Sequence, residues 1–438
     1  VNKDFAFDDQ NKIESKGLAA TYDYEFDAFT FTSVTDWKNF TRVIGLDSDQ
    51  TASPELIFQS DGDITQFSEE LRLNGSTMNM KWVAGFYYLN IDTEYLQGLA
   101  ASPTGGYLAG EEQNTLADIA TDSYSVFGQI DYDLDDDLVL VAGLRLVQEN
   151  KSLDGQLVQN ANLDDRVIEV DDTATPLVDV ALENDKFMWS AKLQLDYKPN
   201  EDTLLYAGVN RGVKAGNFNA PLGGAFSTYD PEVLLAYEAG AKLTLMDGKA
   251  QVNSSVFYYD YEDYQSFSWV NNAGVVFNEQ AHFTGAEVEI LLNPVDALDI
   301  MLGASYTDAV VEDLEVASGI FVDTTPPYTP EWQGSALIRY TWSLDSGSIA
   351  AQASGSYQSE SFHNARNFTA HTIESHFKAD ARVTWEDTQG LWSVAAYVNN
   401  LTDSDHEIIG FDVSGFYGTT QMSYAKPRTY GITVRRNF

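Results

Sequence analysis

The stretch Phe187-Met188-Trp189-Ser190-Ala191-Lys192-Leu193-Gln194-Leu195-Asp196-Tyr197-Lys198 alternates residue by residue. In an extended chain Phe187, Trp189, Ala191, Leu193, Leu195 and Tyr197 share one face, and Met188, Ser190, Lys192, Gln194, Asp196 and Lys198 share the other. One face is apolar and aromatic while the other is mostly polar, so the strand separates two unlike environments. Tyr124–Leu134 repeats the pattern, with Tyr124, Val126, Gly128, Ile130, Tyr132 and Leu134 opposed to Ser125, Phe127, Gln129 and Asp131. At the chain end Tyr430, Ile432, Val434 and Phe438 oppose Thr429, Thr433, Arg435 and Asn437; Arg436 interrupts the apolar face where a long side chain can reach an interface.

About 17 segments pass the same alternation test, and no good amphipathic helix lies between them. Their connections alternate in length. Tight ones fall at Phe26–Phe29, Asn74–Met78, Leu134–Leu138, Pro199–Thr203, Met246–Lys249, Pro294–Leu298, Leu344–Gly347 and Asp387–Leu391. Long polar ones fall at Gly45–Gly62, Ala100–Thr121, Lys151–Asp185, Ala215–Pro231, Gln265–Val275, Ala309–Pro330, Ser359–Ser375 and Asp403–Met422. Short turns on one side and long loops on the other are the habit of outer-membrane barrels. A propeller would repeat blade by blade, and a sandwich would not sort its loops by length. The expected fold is all-β: a transmembrane antiparallel up-and-down β-barrel.

Composition agrees. The chain has 438 residues, 44% hydrophobic, with 24 Tyr, 24 Phe and 8 Trp, and no run approaches the apolar length a membrane helix requires. A mean hydropathy of −0.26 suits strands with only one lipid-facing side. The net charge of −42 repels phosphate and excludes nucleic acid as a partner. The acidic residues concentrate in turns and loops, without the spacing of a calcium loop. Cysteine is absent, which removes disulfides, thiolate metal sites and cysteine nucleophiles.

Parity adds a topological expectation. The last strand leaves an external loop and ends at Phe438, so the C-terminus is periplasmic. Counting back, the first strand also runs inward. Single-chain bacterial barrels have an even strand count with both ends periplasmic. At least one upstream strand is therefore expected outside this sequence, with Val1–Ser15 as the tail of an external loop. Tyr132, Tyr197, Tyr206, Trp342, Trp385, Trp392 and Phe438 lie near tight turns or the periplasmic chain end, and are the expected aromatic anchors at one membrane interface.

Several stretches resemble TonB-dependent outer-membrane receptors of Gram-negative bacteria. They are Gln66–Leu73 followed by Trp82–Tyr88, Ala142–Arg145, Leu205–Asn219, Pro231-Glu232 with Tyr237–Lys242, Phe257–Tyr259 before Tyr261–Gln265, Gly285–Glu289, Val398–Asp403, and Pro427–Phe438. They cover nearly the whole chain in order. The resemblance implies a 22-stranded barrel of which residues 1–438 supply about 17 strands, with an N-terminal plug and the first strands not in this sequence. It implies energised uptake of a scarce solute, such as a ferric siderophore or another iron complex, with localisation in the outer membrane. Expected partners are outer-membrane lipid and lipopolysaccharide, TonB through the missing N-terminal part, and a small solute such as an iron chelate. The alternative is a passive porin, which would lack a plug.

An enzyme is not expected. The histidines His282, His363, His371, His376 and His406 show no catalytic spacing, and no catalytic residue, metal site or cofactor is assigned. Candidate solute contacts are Arg211, Lys214 and Asn217 at one strand exit, Tyr261, Tyr264 and Gln265 on a neighbouring hairpin, and His363, Arg366 and His371 in one external loop. If Leu204 and Tyr206 face lipid, Arg211 faces the lumen. The competing reading of the histidine loop is a solvated surface loop.

Overall fold

A computed structural model describes residues 10–47, 56–101, 111–160, 175–222, 226–270, 273–412 and 420–437. They form a 19-stranded sheet with three small hairpins beside it. Two members of the sheet, Val178–Glu183 and Ile320–Thr324, are short additions at its outer end. The other 17 build the wall. These are β1 (Gln10–Glu25), β2 (Thr30–Asp47), β3 (Leu56–Ser76), β4 (Met80–Ala101), β5 (Glu112–Asp135), β6 (Leu138–Asn160), β7 (Lys186–Asn200), β8 (Thr203–Lys214) and β9 (Glu232–Leu245). They continue as β10 (Ala250–Val270), β11 (Ala273–Val295), β12 (Leu298–Ala317), β13 (Trp332–Leu344), β14 (Gly347–Gln358), β15 (His376–Asp387), β16 (Trp392–Asn399) and β17 (Thr429–Arg436).

Each wall strand pairs antiparallel with its sequence neighbours, as an up-and-down order requires. Among the described residues β1 is hydrogen-bonded only to β2, and β17 only to β16. Among these residues the two outermost strands thus each keep one free edge.

The alternation in sequence becomes an alternation of faces. On β7 the side chains of Phe187, Trp189, Leu193, Leu195 and Tyr197 are exposed on one side, while Met188, Lys192, Gln194 and Asp196 are more covered on the other. Register carries these faces across the wall. Leu195 stands opposite Leu140 on β6 and Ala207 on β8, and Leu193 opposite Ala142 and Val209. The apolar face is the outer one. The polar face is concave and is lined around β8–β15 by Tyr206, Lys242, Glu287, Glu289, Gln333 and His376.

The tight connections lie at one end of the wall, as the sequence indicates. At the other end strands run further than polarity suggests. Gln265–Val275, read as a loop, is mostly ladder: β10 extends to Val270 and β11 restarts at Ala273, with pairs from Tyr264↔Glu279 to Val270↔Ala273. Ladders also enter the expected loops Gly45–Gly62, Ala100–Thr121 and Lys151–Asp185. Above the lipid both strand faces can be polar, so apolar alternation fades while backbone pairing persists.

A barrel wall has no core between layers. The described buried apolar side chains instead include two nests where connections fold back on the wall. One joins Ala117, Leu153 and Phe218, and the other joins Ala281, Val311, Leu314, Val316 and Ala365.

Candidate functional site at the loop-bearing end

The connection between β8 and β9 folds onto the inner face. Phe218 packs with Ala117 and Leu153, and Phe226, Tyr95 and Ile119 surround them. Polar contacts fix its path. Gln97 Nε2 donates to Ala220 O at 2.7 Å, Thr115 Oγ1 to Pro221 O at 3.2 Å and Lys151 Nζ to Gly216 O at 2.7 Å. Asn219 bonds like a strand residue: its Oδ1 accepts from Val276 N at 2.9 Å and its Nδ2 donates to Val276 O at 3.2 Å. The segment therefore spans from β4–β6 to β11. Its apolar residues Phe218, Ala220, Pro221 and Phe226 are the sequence signal that it is not a solvated loop.

Gln265 clasps the base of this segment. Its side-chain amide donates to Ala215 O at 2.9 Å and Asp230 O at 3.2 Å, and its backbone N–H donates to Glu232 Oε2 at 2.8 Å. Lys214 ends β8 opposite Glu232, and Asn217 lies in the short hairpin Asn217–Asn219/Ser227–Tyr229. Lys214, Asn217 and Gln265 are therefore brought together. Asn217 Oδ1 is buried without a hydrogen-bond partner among the described residues.

Arg211 is not with them. It stands opposite Ala191 in register, on the outer face of Leu205 and Val209, and its guanidinium lies 4.0 Å over the Trp189 ring. The expectation that it faces the lumen is corrected, and the same parity corrects Tyr206. Tyr206 stands opposite Asp196 on the inner face and donates to Glu238 Oε1 at 2.5 Å, so it is not a lipid-interface anchor. Gly240 stands directly opposite Tyr206, and a Cβ there would come within 2.6 Å of the phenol. Glycine leaves room for the ring to lie against the wall.

Tyr261 and Tyr264 form an inner aromatic group with Phe283. Tyr261 lies 4.9 Å from Phe283 and 5.4 Å from Tyr264, ring to ring. A bulge between Tyr261 and Tyr264, with Asp263 at φ 56°, turns both rings into the second nest. Ala365 from the 359–375 connection seals that nest, which joins two groups that the sequence treats separately.

The 359–375 connection turns its histidines inward, while Thr369, Ala370 and Glu374 stay exposed. His371 is 1% exposed, and its Nε2 lies 3.1 Å from Asp412 Oδ2. Arg366 pairs with the same carboxylate oxygen and stacks over Phe368 at 5.1 Å. The His363 ring lies 5.0 Å from that of His371 and is buried against Gly410, where any Cβ would collide with the imidazole. Asn367 locks onto the segment before β13, accepting from Thr325 N at 2.6 Å and donating to Thr325 O at 2.9 Å. The expectation of His363, Arg366 and His371 as open solute contacts is corrected: their polar groups are turned into the packing between connections. Burial pushes His363 and His371 below the usual imidazole range, and for His371 Asp412 pulls the other way. Asp412 was invisible in sequence, being one acid among many in the 403–422 loop.

A second histidine pair, His376 and His406, stacks at 3.7 Å between centroids. Among the described residues no group of three His, Cys, Asp or Glu is arranged to hold a metal ion.

At the tight-turn end, Tyr132, Tyr197, Trp342, Trp385 and Trp392 belong to the outer face. Tyr197, Trp342 and Trp392 are exposed, and Tyr132 accepts a hydrogen bond from Asn79 Nδ2 at 3.1 Å. Trp385 stands between Ile349 and Val394 in register. Phe438 lies outside the described residues.

Comparison with known proteins follows this geometry. The family model described as TonB dependent receptor-like, beta-barrel matches residues 2–401. Among solved structures, the ferric yersiniabactin uptake receptor FyuA from Yersinia pestis is similar at TM-score 0.79 and 16% identity, over 97% of this chain and 61% of that one. The siderophore receptor PiuA from Acinetobacter baumannii is similar at TM-score 0.73 and 15% identity, over 97% and 64%. The copper transporter OprC is similar at TM-score 0.72 and 14% identity, over 97% and 65%. The chain thus spans less than two thirds of the length of these structures. Its seventeen-strand antiparallel wall and the match over residues 2–401 place it in one family: this chain belongs to the β-barrel family of TonB-dependent receptors.

Proposed function

We propose that the protein containing this chain is an outer-membrane receptor for energised, TonB-dependent uptake of an iron complex, with a ferric siderophore as the leading class. The family match over residues 2–401 carries the reading. The free edges of β1 and β17 support a wall completed by further strands, and the polar concave face supports a lumen occupied by a separate plug segment that contacts TonB. At the mouth, Lys214, Asn217 and Gln265 at the base of the inward-folded connection are the first candidates for solute contact. Tyr261 and Tyr264, on the same strand as Gln265, are further candidates beside it. Tyr132, Tyr197, Trp342, Trp385 and Trp392 form the periplasmic aromatic girdle, with Phe438 at its end.

The test is uptake of radiolabelled ferric chelates by cells with and without the gene. Uptake should be lost on deletion, on removal of TonB and on collapse of the proton gradient. Uptake that survives de-energisation would point to the passive channel. Transport of copper but of no iron chelate would overturn the solute class while leaving the receptor reading intact.

A further inference from the structure

Arg211 is a cation on the lipid-facing side of the wall. A guanidinium on the lipid face of a barrel costs roughly 2–4 kcal/mol at the bilayer midplane and about 0–1 near an interface. Its height on the wall follows from its neighbours. Tyr197 and Phe187 mark the two ends of the aromatic-edged outer face of β7; ten residues at about 3.3 Å, tilted by roughly 40°, span about 25 Å, the height of an apolar band. Arg211 lies over Trp189, at the end of that band away from the tight turns. Along its register row stand Ala191 on one side and Leu235 on the other, followed by Asp260 and His282, so polarity begins at this level.

The side chain is also preorganised. Its guanidinium stacks on Trp189, and Nη1 donates to the Trp189 carbonyl. Among the described residues no carboxylate lies within ion-pair distance of it. The remaining N–H donors form a fork suited to a phosphate. A matching pair occurs at the opposite interface, where Arg436 stacks over Trp392 at 5.1 Å beside a tight turn. An arginine on a tryptophan thus stands near each edge of the lipid-facing wall.

We propose that Arg211, held on Trp189, binds the phosphate of an outer-leaflet lipid headgroup and fixes the wall's depth in that leaflet. The proposal rests on the outer-membrane reading above. A lipid phosphate fits better than a soluble one because the guanidinium is on the outer face, away from the lumen and its solute path.

The experiment uses the full receptor in vesicles containing lipid A, compared with vesicles of enzymatically dephosphorylated lipid A. Native mass spectrometry counts lipid retained after mild detergent extraction. Loss of a charge-assisted contact predicts about ten-fold weaker retention for Arg211→Gln, with Arg211→Lys partly rescuing it. Dephosphorylated lipid A should show no difference between wild type and variant. Equal retention by wild type and Arg211→Gln overturns the proposal. So does an equal loss with phosphate-free lipid, or displacement of the lipid by inorganic phosphate in solution. Insertion of wild type into both vesicle types is scored separately by heat-modifiable migration. Failure of wild type to insert would overturn the outer-membrane reading itself, and the proposal with it.

Discussion

At the residue scale, strand parity decides what a side chain can do, and Tyr206 and Arg211 show it. They lie five positions apart on one strand and therefore point to opposite sides of the wall. Tyr206→Phe should lower stability by about 1 kcal/mol through loss of the bond to Glu238. Urea unfolding of the vesicle-inserted protein would register the shift; a silent substitution would restore Tyr206 as a lipid-facing ring. The buried histidines predict a pH effect. Folded His363 and His371 resist protonation because burial disfavours the charged form, whereas the released connection takes up protons at the ordinary imidazole value of 6.5. A base with a depressed folded pKa contributes its full stability above the unfolded value and loses it as pH falls below. Hydrogen exchange of residues 361–373, corrected for intrinsic rates, should therefore show easier opening at pH 5.5 than at pH 7.5. A constant opening free energy across that interval would contradict the assignment.

At the element scale, each strand is a boundary between lipid and lumen. Leu193 and Lys192 are adjacent on β7, yet only Leu193 lies on the outer face. Leu193→Lys should cost roughly 2–4 kcal/mol in a bilayer, as expected for a cation near the midplane. A cost no larger than that of a conservative change at Lys192, measured in the same vesicles, would mean the register is wrong. The connections follow different physics. The connections after β8 and after β14 bury Phe218 and Ala365 against inner-face side chains. Strand pattern in those segments says nothing about their destination.

At the scale of the whole molecule, β1 and β17 each leave a row of backbone groups without a ladder partner among the described residues. Free edges of this length invite pairing with other chains. If further strands complete the wall, as proposed above, cysteines at Ala20 and Ile432 should stay reduced under oxidation. A disulfide requires Cα atoms within about 7 Å, and its ready formation would mean that the two strands close the wall directly. The chain end bears on assembly. Val434, Ile432 and Tyr430 share the exposed outer face, and Phe438 continues their period. Phe438→Ala in the full protein should reduce the amount of folded, heat-modifiable receptor in outer-membrane fractions at low expression. Equal amounts would show that the terminal ring has no part in insertion.

By itself the sequence determined the strand number, the antiparallel order, the end of the wall that carries the tight turns, and the family. The first three rest on local periodicity and spacing, which an extended chain between lipid and water expresses directly, and the family rests on the resemblance of ordered stretches to known receptors. Only the tertiary structure decided that Tyr206 faces the lumen and Arg211 the lipid, because a face is assigned through register with neighbouring strands, and a one-residue error reverses it. Only the tertiary structure joined Ala365 to Tyr261, Asp412 to His371, and Asn219 to Val276. These contacts link residues 41 to 104 positions apart in the chain. They arise from apolar and hydrogen-bonding groups on connections seeking partners above the membrane, where no repeating pattern in the chain records the choice.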